Sequence, residues 1–221
     1  MVDARVREGG EIASAALMAA ATVASAWCAY QAALWSGDQL RLLATASAAQ
    51  FASLRKTNES SAFLLIDVQT FFRYVEDEAR GEKQTAQFIA SNARPEFRPV
   101  LEAWIAGCRA GKKPAELPFA PDRYQLATLK DATKLSKEGE AAGAEANAAN
   151  EHSDLFVMHT VVFALALFFL GSSSAAKHVG VRRAMLIMGA LAFVLGVLSM
   201  ARLPRAPGAP RRPAESQQRG A

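Results

Sequence analysis

The sequence predicts an all-α membrane protein with three transmembrane helices and a long helical hairpin or bundle domain inserted between the first and the second. Three observations predict it. Lys, Arg, Asp and Glu are almost absent from three windows, residues 12–35, 155–170 and 184–201, although the 221-residue chain is 21% charged overall. Each window approaches the ~20 apolar residues needed to cover a hydrocarbon core of roughly 30 Å at about 1.5 Å per residue. Alanine is abundant and proline is confined to the middle and the tail, which favours helix and leaves few candidates for strand.

Residues 1–11 form a short segment carrying Arg5 and Arg7, and the first span follows over 12–35. This span is rich in Ala and Ser and only weakly hydrophobic. Its length exceeds a signal-peptide core, and aromatic residues follow where a small-residue cleavage site would be, so it reads as a retained span. Small residues recur every four positions in two rows, Ala16, Ala20, Ala24, Cys28 and Ala21, Ser25, Ala29. Such rows permit close helix approach on more than one side and predict that this helix is the buried member of the bundle. Trp27, Tyr30 and Trp35 cluster at its outgoing end and are read as membrane-interface anchors, because aromatic rings with a polar edge favour the headgroup region. The sharper alternative groups them with Gln31 as a lipid or partner site.

The extramembrane domain is expected over 36–154: an outgoing arm over 36–93, a short helix over 95–108, a loop over 109–121 and a return helix over 122–154. In the arm, Leu40, Ser47, Leu54, Ser61, Val68 and Val75 interleave with Ala44, Phe51, Asn58, Leu65 and Phe72. The alternating steps of four and three are those of a coiled-coil seam, weakened by its Ser and Asn members, so a packed hairpin is expected. The return helix bears a small-residue stripe, Thr128, Ala132, Leu135, Gly139, Ala142, Ala146, Ala149 and Ser153, suited to close contact with the bulkier Leu and Phe of the arm. The second span is expected over 155–173, a basic loop over 174–183, the third span over 184–202 and a disordered basic tail over 203–221.

Positive residues favour the cytoplasmic side when counted near span ends and in short loops. Arg5 and Arg7 precede the first span, and Lys177, Arg182 and Arg183 lie between the second and third with no acidic residue among them. Placing these in the cytoplasm sends the domain outside, against the opposing pull of Arg202, Arg205, Arg211, Arg212 and Arg219 in the tail. The expected location is therefore the bacterial inner membrane, multi-pass, with the domain extracytoplasmic.

Two stretches carry a resemblance: AWCAYQAALWSGDQ at 26–39, and RPEFRPVLEAW at 94–104 followed by PFAPDRYQLA at 118–127. Together they resemble a family of uncharacterised bacterial membrane proteins with an AWxxYQAxxWxG element ending the first span, a PEFxPxxxxW-like middle and a PF-x(4)-Y-like turn. The resemblance implies the three-span plan but no activity, and the Pro/Arg tail departs from it. Within the middle motif, Phe97, Leu101 and Trp104 share one helix face while Arg94, Glu96, Arg98 and Glu102 lie beside them. Packing against the hairpin is the simpler reading. The sharper one makes Arg94, Glu96, Arg98, Glu102 and Trp104 a candidate interaction surface.

Candidate chemistry is sparse. No Gly-rich phosphate loop, HExxH or G-x-S-x-G occurs, so an enzyme is not expected and no cofactor is implied. The acidic runs Glu76-Asp77-Glu78 and Glu138 to Asp154 read as solvated helix faces in preference to metal sites. His159 lies about one turn inside the second span, where a hydrogen bond to Ser or Tyr on the Ala-rich helix is expected. Cys28 and Cys108 are expected to be free thiols. The partners anticipated are the lipid bilayer and a second copy or another membrane protein, not nucleic acid. The leading expectation is a non-enzymatic interaction or scaffold protein, with an oligomeric channel or transporter component as the alternative.

Overall fold

The computed structural model describes residues 2–111 and 117–206, with side chains from Glu11 onward. The described residues are all-α: α1 (Val2–Ala79), α2 (Lys83–Ser91), α3 (Arg98–Arg109), α4 (Ala127–Ala175) and α5 (Val179–Met200). Three of these, α1, α4 and α5, are long and apolar enough to cross a membrane by length and composition. The chain therefore reads as a membrane protein. Residues 112–116 of the expected loop and the tail from 207, including Arg211, Arg212 and Arg219, lie outside the described residues.

Element boundaries depart from expectation where single residues act. The N-terminal segment is helical from Val2, continuous with the first span. The outgoing arm does not run to Ala93: it stops at Ala79, and Gly81 takes φ +81° as Glu82 N–H donates to the Asp77 carbonyl at 2.9 Å. A left-handed glycine closing the last turn is a standard helix stop, and in the sequence it passes for a tolerated Gly inside a helical pattern. Pro99 occupies the first turn of α3, so that helix begins at Arg98. The return helix begins at Ala127, because 120–126 is held in turns, with Tyr124 N–H donating to the Ala120 carbonyl. The basic loop shrinks to 176–178, and Arg182 and Arg183 lie inside α5.

The chain divides into two compact units, Met1–Ala44 with Gly143–Ala221, and Thr45–Ala142. The first unit contains the span candidates packed as antiparallel neighbours. At one end, Ser14 Oγ donates to the Leu170 carbonyl at 3.2 Å and Arg182 pairs with Glu11 at 3.3 Å. At the other, Ser36 Oγ and Ser153 Oγ lie 2.9 Å apart and Ala206 N–H donates to Gln31 Oε1 at 3.0 Å. The α1 face turned inward is the seven-residue line Ser14, Ala21 and Cys28, so of the two predicted rows only Ala21, Ala24, Ser25 and Cys28 are covered while Ala16, Ala20 and Ala29 stay exposed. Contrary to expectation, α4 and not α1 has the most buried apolar window. Two glycines of α5 explain it: a Cβ on Gly189 would lie 2.7 Å from Leu170 Cγ, and one on Gly196 would lie 3.0 Å from Phe163 Cε1. Small residues on α5 admit the bulky side chains of α4, and Phe163 and Leu170 are fully covered.

The second unit packs the α1 segment 45–79 against α2, α3 and the start of α4. Its α1 contact face is not the Leu/Phe seam. Ala46, Ser53, Ser60, Asp67 and Tyr74 form one heptad row, and Ala49, Lys56, Phe63, Thr70 and Asp77 the other, and all ten are buried or half-buried. The α4 stripe falls as expected, with Ala132 and Gly139 buried and Thr128, Leu135 and Ala142 half-buried. Its partner is the small and polar face of α1: Ser53 Oγ donates to the Ala132 carbonyl at 2.8 Å, and Ser60 Oγ to Thr128 Oγ1 at 2.6 Å. Small residues on both sides let the backbones close, to the point that a Cβ on Gly139 would lie 3.2 Å from the Ala46 carbonyl. Leu or Phe at that contact would hold the helices apart.

Candidate interaction site

The second unit concentrates the polar chemistry around Asp67. This carboxyl is fully buried in the α1 run Phe63-Leu-Leu-Ile-Asp-Val-Gln-Thr-Phe-Phe, and its Oδ2 accepts from Tyr124 Oη at 2.5 Å and from Arg94 at 3.2 Å. Arg94 also pairs with Glu96 and lies 3.8 Å over the ring of Phe63, so its cation is held on three sides. Burial pushes the Asp67 carboxyl above the usual carboxylate range, opposed by the Tyr124 bond and the Arg94 charge. Burial, then the carboxylate it bonds, pushes the Tyr124 phenol well up, so Tyr124 is a donor throughout the physiological range.

An aromatic cluster closes over this network. Phe97 stacks on Phe119 with centroids 5.3 Å apart, and Tyr124 meets both rings edge-on at 5.8 and 5.4 Å. Phe71 joins through edge-to-face contacts with Trp104 at 4.9 Å and Phe119 at 5.7 Å. Phe97 and Leu101 are fully buried and Trp104 is half-buried, the face expected of the middle motif. The PF-x(4)-Y turn thus supplies Phe119 and Tyr124 to the core, and the PEF motif supplies Arg94 and Phe97.

The five residues of the candidate surface separate accordingly. Arg94 faces inward to Asp67; Arg98 donates to the Ala93 carbonyl at 3.1 Å; Trp104 packs on Phe71. Glu96 and Glu102 are exposed. Arg94 pairs with Glu96, and both precede α3. Beside Trp104, a cavity of about 440 Å³ is lined by Tyr74, Val75, Glu78, Ile105, Cys108 and Arg109.

Of the acidic runs, Glu76 and Glu78 are exposed as expected, but Asp77 is buried, 3.7 Å from Arg73 Nε. Among the described residues, no group of three or more His, Cys, Asp or Glu is placed to hold a metal ion. Cys28 and Cys108 are both free thiols, the first buried and the second exposed.

In the first unit, the AWxxYQAxxWxG residues divide in the same way. Trp27 and Tyr30 are exposed with ring centroids 5.9 Å apart, whereas Trp35 is half-buried against His152 at 4.7 Å. Gln31 is buried on Ala206 N–H, and the Ala32 carbonyl accepts from Ser153 Oγ at 3.1 Å. His159 is also buried: Nδ1 lies 2.7 Å from the Leu155 carbonyl and Nε2 2.8 Å from Ser199 Oγ. A carbonyl only accepts, so Nδ1 carries the proton and, in the neutral ring, Nε2 accepts from Ser199. The expected serine partner is therefore present, but on α5 and not on the Ala-rich helix.

Sequence reasoning missed Asp67 and Tyr124. The available signal was a lone acid inside an apolar run, which a buried pairing explains better than a solvated face. Against this geometry no family model matches the chain, and neither does any curated protein or solved structure.

Proposed function

We propose that the chain is a non-enzymatic interaction or scaffold protein of the bacterial inner membrane, with the second unit on the extracytoplasmic side as its binding module. One observation carries this reading. Asp67, Arg94, Phe97, Phe119 and Tyr124 are turned inward to hold the second unit together, while Phe51, Leu54, Leu65 and Phe72 stand 72%, 59%, 60% and 57% exposed along one side of α1. A soluble helix that is already packed on its opposite face has no structural need for large apolar residues there, and exposed apolar stripes mark contact surfaces. The basic residues before the first span and at the start of α5, and the lack of acids between α4 and α5, support the orientation. Crosslinking in native membranes through a photoreactive residue placed at position 51 tests it. A discrete adduct, either a self-complex or a complex with one other protein, is expected; a chain that stays solitary at every crosslinker dose refutes the reading.

A further inference from the structure

We propose that the outward stripe of α1 pairs with the same stripe of a second copy, as a parallel, in-register, two-stranded coiled coil with Asn58 at its centre. The inference rests on the interaction reading above and specifies its partner.

The α1 segment of the second unit carries two heptad faces on opposite sides. The intramolecular face is occupied by α4, α2 and α3. The opposite face repeats Phe51, Asn58, Leu65 and Phe72 at one core position and Leu54, Ser61, Val68 and Val75 at the other. All four of the first row and both Leu54 and Ser61 are exposed, Val68 is half-buried, and Val75 is half-buried against the unit's own core, where the outward stripe ends. Alternating steps of four and three are the spacing at which side chains of one helix enter the holes of another.

The flanks separate a helix partner from a bilayer surface. A helix lying on a membrane borders its apolar face with Lys and Arg. Here the exposed positions beside the stripe are Ala48, Gln50, Thr57, Ala62, Leu64, Gln69 and Glu76, with Arg55 as the one cation. Flanks with a single cation and mostly uncharged side chains suit helix pairing.

Asn58 selects a second copy. A lone Asn in an apolar core row is costly against a hydrophobic neighbour and favourable opposite another Asn, which is how such residues fix register and a two-stranded state. An identical stripe, paired in register, supplies that amide at the same level. Two copies inserted in the membrane the same way run their α1 helices in the same direction, so the pairing is parallel. That register sets Gln50 beside the second copy's Arg55 and brings no like charges together across the seam. At roughly 200 Å² per large side chain, the exposures of Phe51, Leu54, Leu65 and Phe72 leave on the order of 500 Å² per copy to be covered, and the flanking residues bring this towards the ~800 Å² per partner of a stable interface.

Cysteine scanning of the full chain in membranes tests the proposal, in a background with Cys28→Ala and Cys108→Ser. Under mild oxidation, Leu54→Cys and Leu65→Cys are expected to give disulfide-linked homodimer, each about tenfold more than Ile66→Cys, which is exposed but off the stripe. The double variant Leu54→Glu with Leu65→Glu is expected to abolish crosslinking by the residue 51 photoprobe with helicity unchanged, since both side chains are already exposed in the single chain. Equal disulfide yield at 54, 65 and 66 overturns the proposal as random collision. Quenching of a fluorophore at position 54 by brominated lipid, without dimer, overturns it in favour of the bilayer. A residue 51 adduct with a different protein and no dimer at 54 or 65 overturns self-pairing but leaves the interaction reading standing. Absence of any adduct removes both.

Discussion

Asp67 is the residue on which most of the second unit converges, since it links α1 to the Arg94 turn and to the strand of chain before α4 through Tyr124. Its carboxyl sits above the ordinary carboxylate range because burial outweighs its two partners. A carboxyl whose folded value is raised binds its proton more tightly in the native state, so the associated stability is fully present in acid and is lost as pH rises from the unfolded value through the folded one. Asp67→Asn keeps an acceptor for Tyr124 and removes that titration. We expect the parent chain's unfolding midpoint, followed by circular dichroism against pH, to decline across mild acid and that of the variant to lose this decline. Tyr124→Phe removes a donor and leaves the buried carboxylate with one partner fewer, at a cost of about 1–3 kcal/mol at neutral pH. The same variant should extend the decline to higher pH, because the bond that Tyr124 gives is one that lowers the Asp67 value.

Helix pairing is governed by the small residues, and their order of severity follows from what a Cβ would meet. At Gly139 the nearest atoms are Gln50 Cγ at 3.1 Å, on a flexible side chain, and the Ala46 carbonyl at 3.2 Å. Gly139→Ala gains about 1 kcal/mol of helix propensity and asks α1 to yield by tenths of an ångström, so it should be near neutral. Gly139→Leu should cost about 1–3 kcal/mol by wedging the pair apart. At Gly189 the added atom meets Leu170 Cγ at 2.7 Å and its backbone N at 3.1 Å, so Gly189→Ala should be the more damaging of the two alanine variants. Thermal unfolding in bicelles ranks them, and a reversed order would show that the α4 and α5 contact is looser than its geometry. These contacts also explain what could be read in advance. The α4 stripe was legible because small residues repeat at heptad spacing. The α1 face was not, because Ala, Ser and Asp carry little hydrophobic signal and the competing Leu/Phe row carries much. Gly81 was hidden for a related reason: its effect is conformational, and composition is blind to φ.

Across the whole molecule, if α1, α4 and α5 each cross the membrane once, two crossings separate residue 111 from the chain after α5, so both face the same compartment whichever it is. The contacts within the first unit agree with that plan, since Glu11 and Arg182 meet at one end while Gln31 and Ala206 meet at the other. Which end is cytoplasmic is a contest between two basic sets. Lys177 in the connection and Arg182 and Arg183 in the first turns of α5 have no acid among them, and Arg5 and Arg7 precede the first span to be inserted; Arg202, Arg205, Arg211, Arg212 and Arg219 follow the last. Short loops and early spans weigh most in orientation, because a late segment enters a membrane in which its predecessors are already set. Reporter fusions therefore should show an extracytoplasmic signal after Gly111 and after Ala206 and a cytoplasmic one after Lys177. Inverting Arg182 and Arg183 to Glu, which also breaks the pair with Glu11, should weaken that bias and yield mixed signals at all three points. If Gly111 reports the cytoplasm in the parent chain, the late arginines dominate, and the proposed pairing of the α1 stripe has to be sought on that side.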